Sequence, residues 1–165
     1  MSAQRPDPRG ELGALLRQQR EHGERLLDVS RAIGDALRDC DYPALHRQLD
    51  AQRQLHAALD DAGRQLSALL EACGQASDSA GLRSLLRQLD GSDHGELHRS
   101  WRSLREILGN CRERNHGNRV VALQGERHSQ EALALLSGAS RRNATTYDAS
   151  GAVQRGLGSR DLGAA

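Results

Sequence analysis

The stretch Glu96-Leu-His-Arg-Ser-Trp-Arg-Ser-Leu-Arg-Glu-Ile-Leu-Gly-Asn-Cys111 decides the fold of this chain. Its apolar side chains recur at alternating intervals of four and three residues, at Leu97, Trp101, Leu104, Leu108 and Cys111. This spacing places them along one face of an α-helix and is typical of helices that pack against other helices. We therefore predict a long helix whose first half closes a helical bundle.

Beyond Cys111 the same spacing continues, but it falls on polar or small residues, beginning with Asn115 and Asn118. We predict that this helix spans residues 94–137. At about 1.5 Å per residue it would be about 65 Å long, whereas the two earlier long helices would each be about 45 Å. We therefore expect this third long helix to overhang the other two.

Two earlier segments repeat the four-three spacing and predict long helices over residues 11–40 and 43–73. The positions that this spacing selects, called seam positions here, are in the first segment Leu12, Leu16, Gln19, Gly23, Leu26, Ser30, Ile33, Leu37 and Cys40. In the second segment they are Leu45, Leu49, Gln52, His56, Leu59, Gly63, Leu66, Leu70 and Cys73. Pro43 separates them, because proline disfavours a helical conformation in the preceding residue and is accepted in the first turn of a new helix. So short a connection makes the two helices antiparallel neighbours. A short amphipathic helix is predicted over residues 82–90, after a loop-like segment at 74–81.

The composition supports an all-α fold. The 165 residues are 37% hydrophobic and include no Phe, one Trp and two Tyr. Most apolar residues are Leu and Ala, which are good helix formers, whereas the β-branched residues typical of strands are scarce. We predict an antiparallel three-helix coiled-coil bundle over residues 11–137 with a long, overhanging third helix. A disordered lead (1–10) precedes it, and a disordered, flexible C-terminal tail (138–165) follows it.

Charge and cysteine usage argue against several classes of function. The chain has 23 basic and 22 acidic residues, so it lacks the basic excess of a nucleic-acid-binding protein. No apolar run approaches the length of a membrane span, and no stretch has the pattern of a signal peptide. Three widely spaced cysteines fit reduced thiols. We expect a cytoplasmic protein with no nucleic-acid partner and no stable membrane insertion.

Catalytic and metal-binding motifs are missing from the sequence. It contains no Gly-x-Ser-x-Gly elbow and no phosphate-binding glycine loop. His94 and His98 would share a helix face at a spacing that suits zinc, but no further ligand pattern accompanies them. Solvent-facing histidines are the simpler interpretation. We predict a protein that is not an enzyme and that has no metal site and no cofactor.

The distal half of the third helix leaves two interpretations open. It carries apolar residues on more than one face, namely Val120, Val121, Leu123, Leu133, Leu135 and Leu136. These residues either pack within the protein or form an exposed surface for an amphipathic partner helix. Asn115 and Asn118 likewise either fix the register of a buried seam or belong to a segment that awaits a partner.

The segment from Asn115 to Gly151 resembles the C-terminal half of the FlgN family. The residues that carry the resemblance are Asn115-x-x-Asn118, Gly125-Glu-Arg127-His-Ser-Gln-Glu131-Ala-Leu133, Leu136 and Tyr147-x-Ala149-x-Gly151. Members of this family are flagellar type III export chaperones for the hook–filament junction proteins FlgK and FlgL. Two Leu-rich helices, a break and a long third helix with a flexible tail agree with the family pattern.

The resemblance implies partners and residue roles. The chaperone keeps FlgK- and FlgL-like cargo unassembled and delivers it to the export gate protein FlhA. The distal third helix is similar to the family's substrate-binding region, which makes candidates of Asn118, Val121, Leu123, Ala132, Leu133 and Leu136. The tail motif is where the family docks to the gate, which assigns that role to Tyr147 and Gly151. Gly117 and Gly125 depart from the family pattern as points where the helix would bend or fray.

Two other functions compete with this one. A generic coiled-coil adaptor or self-assembling helical bundle would cover its distal surface by self-association and would sediment as a tight oligomer. A nucleic-acid-binding regulator would use arginines near the C-terminus and would bind with a steep salt dependence. Those arginines are Arg119, Arg127, Arg141 and Arg142.

Overall fold

The computed structural model describes residues 7–92, 94–142, 146–147 and 153–154. Four α-helices account for nearly all of them: α1 (Pro8–Arg38), α2 (Tyr42–Ala72), α3 (Ser79–Asp90) and α4 (Glu96–Arg142). Two short strands, β1 (Thr146–Tyr147) and β2 (Val153–Gln154), pair in antiparallel fashion. The predicted all-α class is confirmed.

Helix α1 begins earlier than the sequence pattern indicated. Its first residue is Pro8, so residues 8–10, expected as part of a disordered lead, form its first turn. The side chain of Asp7 caps this turn by accepting a hydrogen bond from the Arg9 backbone N–H at 3.1 Å. Backbone N–H groups in the first turn of a helix have no carbonyl partner within the helix, so Pro8, which has no N–H, is well suited to this position. The Asp7 cap and Pro8 together favour the start of the helix here. Residues 1–6 lie outside the described residues.

Helix α4 ends later than predicted and is not interrupted. It runs to Arg142 rather than to residue 137, and it stays α-helical through Gly117 and Gly125. Its 47 residues compare with 31 in each of α1 and α2. The length mismatch inferred from the sequence is therefore present. Most of the predicted flexible tail lies outside the described residues.

The turn between α1 and α2 is closed by its own backbone and side chains. Cys40 has a positive φ of 53°, and the Asp41 N–H donates to the Ala36 carbonyl at 3.0 Å. This pattern satisfies a carbonyl at the helix end that would otherwise lack a partner. The Asp41 carboxylate then accepts a hydrogen bond from the Ala44 N–H at 2.9 Å and begins α2.

The chain divides into two compact units, Met1–Ala122 and Leu123–Ala165. Helix α4 crosses this division, so its residues 96–122 are described with the first unit and 123–142 with the second. The division falls within α4.

Three long helices lie side by side in the first unit. A Cβ at Gly13 would contact Leu97, and one at Gly34 would contact Asn118, so α1 and α4 run in the same direction. Helix α2 runs the opposite way, because its early residue Gln52 meets Asn115 while the leucines at its end cluster with Leu97. The coiled-coil geometry of this packing stays a prediction.

The apolar core lies at the end of the first unit that α3 covers. Ten buried leucines from all four helices form one cluster: Leu12, Leu15, Leu16, Leu69, Leu70, Leu82, Leu85, Leu86, Leu97 and Leu104. Trp101 and Leu108 pack against it from α4. Because α3 contributes three of the ten, this short helix closes the end of the bundle.

Helix α2 follows the predicted seam only in part: Leu70 is buried and Leu66 packs against the core, but other positions are shifted by one residue. The seam position His56 is exposed, whereas Ala62 is fully buried and Gly63 is only half-buried. Two stripes of residues both satisfy the four-three spacing in α2; they share alternate positions and are displaced by one residue at the others. The stripe that is buried excludes His56, because burial of its polar imidazole ring without a hydrogen-bond partner would cost free energy.

Candidate protein-binding surfaces

A layer of hydrogen-bonded polar side chains crosses the first unit. The Oδ1 atom of Asn115 accepts hydrogen bonds from Ser30 Oγ at 3.0 Å and from Gln52 Nε2 at 3.1 Å. The Nδ2 atom of Asn118 donates to the carbonyl of Ser30 at 2.7 Å. Ser30 is fully buried, and such bonds offset the cost of removing its polar atoms from water. Both asparagines thus have partners within the protein, which agrees with the interpretation that they fix helix register.

The sequence pattern placed each of these polar residues at a seam position of its own helix, but it did not predict that they contact one another. Ser30, Gln52 and Asn115 each stand at a seam position on a different long helix. Three polar seam residues at one level were the available signal for a shared layer. Gly34 adds to it, because a Cβ there would lie 2.8 Å from Asn118 Oδ1 and would obstruct the approach of α4 to α1.

An open groove between α1 and α4 contains two of the candidate cargo residues. Asn118 and Val121 line this groove, whose volume is about 540 Å³. Arg31, Arg38 and Arg114 line it together with Glu113, so basic side chains outnumber acidic ones in its lining. Val121 is exposed, while Asn118 is half-buried and held by its bond to α1.

A second groove, here called the tip groove, lies in the first unit beside the α1–α2 turn. Its volume is about 420 Å³, and its lining comprises Ile33, Leu37, Leu45, Leu49, Gln52, Asn115, Asn118, Arg119 and Ala122. Ile33 is buried, whereas Leu49 is 39% exposed, so an apolar floor opens to solvent. Sequence reasoning missed this groove, because helical periodicity does not report how far apart two seams lie.

In the second unit, the side chains of α4 are exposed from residue 123 to residue 137. Leu133 is 66% exposed and Leu136 is 69% exposed. Together with Ala132 they lie on one face of the helix, since residues three and four apart are neighbours on its surface. We call this face the distal leucine face. A contiguous exposed apolar face of this kind marks an interaction surface.

The distal leucine face, as defined, does not include the candidate residues Leu123, Tyr147 and Gly151. Leu123 is half exposed and begins the second unit. Tyr147 belongs to β1 and pairs with Val153 of β2. Gly151, the other proposed gate-docking residue, lies outside the described residues.

A buried carboxylate joins α3 to α4. Asp90 Oδ2 accepts a hydrogen bond from the His98 backbone N–H at 2.9 Å and lies 3.1 Å from His98 Nδ1. An Arg9 Nη2 atom lies 3.6 Å from Asp90 Oδ1. Burial raises the pKa of Asp90, but the hydrogen bonds from His98 and Leu97 outweigh it and hold the pKa below its usual value.

This arrangement corrects the expectation that His98 faces solvent. Its side chain is 14% exposed and packs against Asp90. Within residues 7–92 and 94–142 there is no cluster of three or more His, Cys, Asp or Glu side chains able to hold a metal ion. The pair therefore acts as a structural link between two helices.

The match to a known family settles the resemblance. The sequence profile of the family described as FlgN protein matches residues 9–155. The chain belongs to the FlgN family. The FlgN resemblance inferred from residues 115–151 is thus confirmed, and it extends over the N-terminal helices as well. No curated protein and no solved structure gives a significant match.

Membership of the FlgN family implies the role of a flagellar export chaperone. Members of the FlgN family are chaperones rather than enzymes, and they bind flagellar proteins. In the part of this FlgN-family chain that the structure describes, no helix combines the length and apolar character needed to cross a membrane.

Proposed function

We propose that this protein is a cytoplasmic chaperone for hook–filament junction proteins of the FlgK and FlgL type. It keeps them unassembled and delivers them to FlhA, the type III export gate protein. The observation that carries the proposal is the distal leucine face, an exposed apolar surface in a chain that belongs to the FlgN family.

The distal leucine face suits a helical cargo segment. Anchors spaced three and four residues apart on one helix pack into the apolar stripe of another helix. Complete burial of one leucine side chain contributes about 1.5–3 kcal/mol. A small number of such anchors gives binding that is specific and still reversible, which a carrier that must release its cargo requires.

The other candidate residues contribute in different ways to the proposed cargo surface. Val121 and Leu123 expose apolar side chains on α4. Asn118 is bonded to α1, so its proposed role is to hold α4 in the position that presents Val121. Leu133 and Leu136 remain the main anchors because they expose the most apolar surface among the six candidate residues.

The double variant Leu133→Asp/Leu136→Asp is expected to weaken cargo binding by about 30-fold or more, as loss of a hot spot worth about 2 kcal/mol does. Two carboxylates on the distal leucine face would have to be desolvated against apolar cargo. The measurement is isothermal titration of purified FlgK- or FlgL-type protein into the full chain.

The matched control for this variant is Gln124→Asp/Ala134→Asp. It adds the same two charges to exposed positions on the other side of the same helix. We expect this control to bind cargo as the parent does and both variants to keep the parent's circular dichroism. Unchanged affinity in the leucine variant would place the cargo site elsewhere.

Tyr147→Ala is expected to leave cargo affinity unchanged and to lower affinity for the cytoplasmic domain of FlhA by about tenfold or more, as loss of a tyrosine anchor does. Tyrosine supplies a large contact area at a small cost in conformational entropy. The chain's second tyrosine, Tyr42, is 72% exposed at the start of α2 and provides the control Tyr42→Ala. Equal gate binding by both variants and the parent removes Tyr147 from the mechanism.

A self-assembling helical bundle is the alternative that the same exposed leucines support. In that case the distal leucine face would pair with a second copy of the chain. Sedimentation velocity would then show a tight oligomer without cargo, and the double aspartate variant would convert it to monomer. A monomeric parent that binds junction proteins favours the chaperone.

A further inference from the structure

We propose that the tip groove is a second docking site and that it takes an acidic amphipathic helix of the cargo. The proposal rests on the chaperone function proposed above, and it adds a site in the first unit to the distal leucine face of the second.

The walls of the tip groove have the spacing of helix-on-helix contacts. Leu45, Leu49 and Gln52 line one wall from α2 at intervals of four and three residues, and α4 lines the other with residues 115, 118, 119 and 122. Ile33 and Leu37 of α1 form the floor between them. The first and last residues of each wall are seven positions apart, which corresponds to about two turns of helix or roughly 10 Å. The groove therefore matches about two turns of a partner helix laid along it.

The tip groove is open because the core is concentrated at the other end of the first unit. There the leucines of α3 fill the space among the long helices. Among the described residues, no short helix plays the part of α3 beside the α1–α2 turn. Leu37 and Leu45 are consequently half-buried, and Leu49 is exposed. These side chains would gain buried contact from a partner that occupies the position α3 holds at the opposite end.

Charge at the rim favours an acidic partner. Arg119 is the charged residue in the described lining, and it forms no hydrogen bond or ion pair with the described residues. Asp35 pairs with Arg38, Asp50 pairs with Arg53 and Asp41 caps α2, and none of the described acidic residues forms an ion pair with Arg119. They therefore do not neutralise Arg119, and a glutamate or aspartate beside the partner's apolar stripe would complement it.

The polar layer limits the length of the apolar stripe that a partner helix can place in the tip groove. Asn115 and Gln52 close the inner end of the tip groove, where Asn115 Oδ1 accepts hydrogen bonds from Gln52 Nε2 and from Ser30 Oγ. An apolar side chain of the partner that extended beyond this point would contact polar groups that are already hydrogen-bonded to one another. The site accordingly selects a short apolar stripe flanked by acidic residues.

The proposal can be tested with two synthetic amphipathic peptides of about four helical turns. Both carry the same leucine stripe, flanked by glutamate in one and by lysine in the other. We expect the full chain to bind the glutamate peptide at least about tenfold more tightly, as measured by fluorescence anisotropy. Equal affinity for the two peptides, or no binding of either, overturns the proposal.

Two variants assign that binding to the tip groove. Leu49→Asp is expected to weaken binding of the glutamate peptide about tenfold, and Arg119→Glu is expected to reverse the preference in favour of the lysine peptide. Both positions are exposed, so the fold tolerates the changes, and thermal unfolding of each variant checks this. Binding that neither variant alters overturns the assignment.

Cargo binding separates failure of this proposal from failure of the chaperone function. If Leu133→Asp/Leu136→Asp abolishes junction-protein binding and Leu49→Asp leaves it unchanged, the chaperone function stands and the tip groove is not a cargo site. If Leu49→Asp also weakens it, the proposal is supported. If Leu49→Asp instead dissolves a dimer seen in sedimentation, the groove pairs two copies of the chain and the proposal is overturned.

Discussion

Leu86→Ala is expected to lower the free energy of unfolding by about 2–5 kcal/mol, the range typical of a large-to-small change in a packed core. Leu86 lies in α3, is fully buried, and belongs to a cluster with leucines from α1, α2 and α4. Its truncation removes apolar contacts and leaves a cavity that three long helices cannot readily collapse. Helix α3 has only twelve residues, so it depends on these contacts to stay in place.

Chemical denaturation followed by the fluorescence of Trp101, the chain's single tryptophan, reports this loss directly, since Trp101 packs against the same cluster. Leu135→Ala is the matched control. Leu135 is 69% exposed, so its truncation is expected to change stability by no more than about 0.5 kcal/mol. Similar small losses at both positions would contradict the location of the core.

Gly81→Ala is expected to destabilise the first unit by about 3 kcal/mol, the upper part of the range for overpacking. A Cβ at residue 81 would lie 2.0 Å from the carbonyl oxygen of Ala76, and this obstacle is backbone rather than a flexible side chain. The helix cannot swing away freely, because the Gly81 N–H donates to the capping carboxylate of Asp78 at 2.7 Å. Relief of the collision would therefore cost the cap as well.

The same substitution at Gly117 should have the opposite sign. Residue 117 lies within α4, and a Cβ there would meet nothing within 4 Å. Alanine loses less conformational entropy than glycine in a helix, so Gly117→Ala should stabilise by about 0.5–1 kcal/mol. Equilibrium unfolding of the two variants compares them. A stabilising Gly81→Ala would mean that the loop before α3 does not pass as close as the structure has it.

Helix α1 illustrates how much of the fold could be predicted from the sequence. Its four-three spacing picked out Leu12, Leu16, Leu26 and Ile33, and all four are buried. A helix that packs on two neighbours along its whole length needs one apolar stripe, and periodicity reports that stripe well. The less regular end of the same stripe, at Cys40, proved to be exposed.

The features that escaped prediction depend on contacts between helices. The burial of Asp90 follows from its position beneath the backbone of His98, which no spacing within α3 reveals. The phase of α2 was ambiguous because leucine and alanine neighbour the seam position His56. Contacts with the neighbouring helices decide which of these side chains are buried. The spacing of residues within one helix does not show which side chains of another helix they contact.

The candidate site divides in the same way. Leu133 and Leu136 are exposed, and the greater length of α4 relative to α1 and α2 was visible in the sequence. The role of Tyr147 has no such physical basis, because nothing in its spacing or charge distinguishes it. That assignment depends on the FlgN resemblance and stays a proposal until gate binding is measured.

The polar layer has a consequence for how this chain avoids misfolding. Seams built from leucine and alanine nearly repeat every seven residues, so helices shifted by one repeat would still bury many leucines. A shift of α4 by one repeat relative to α1 would move Asn115 from Ser30 to a position opposite Gly23 or Leu37, and Asn115 Oδ1 would lose the hydrogen bond from Ser30. Misaligned compact states are thereby raised in free energy relative to the native alignment, and the energy landscape retains a single deep minimum.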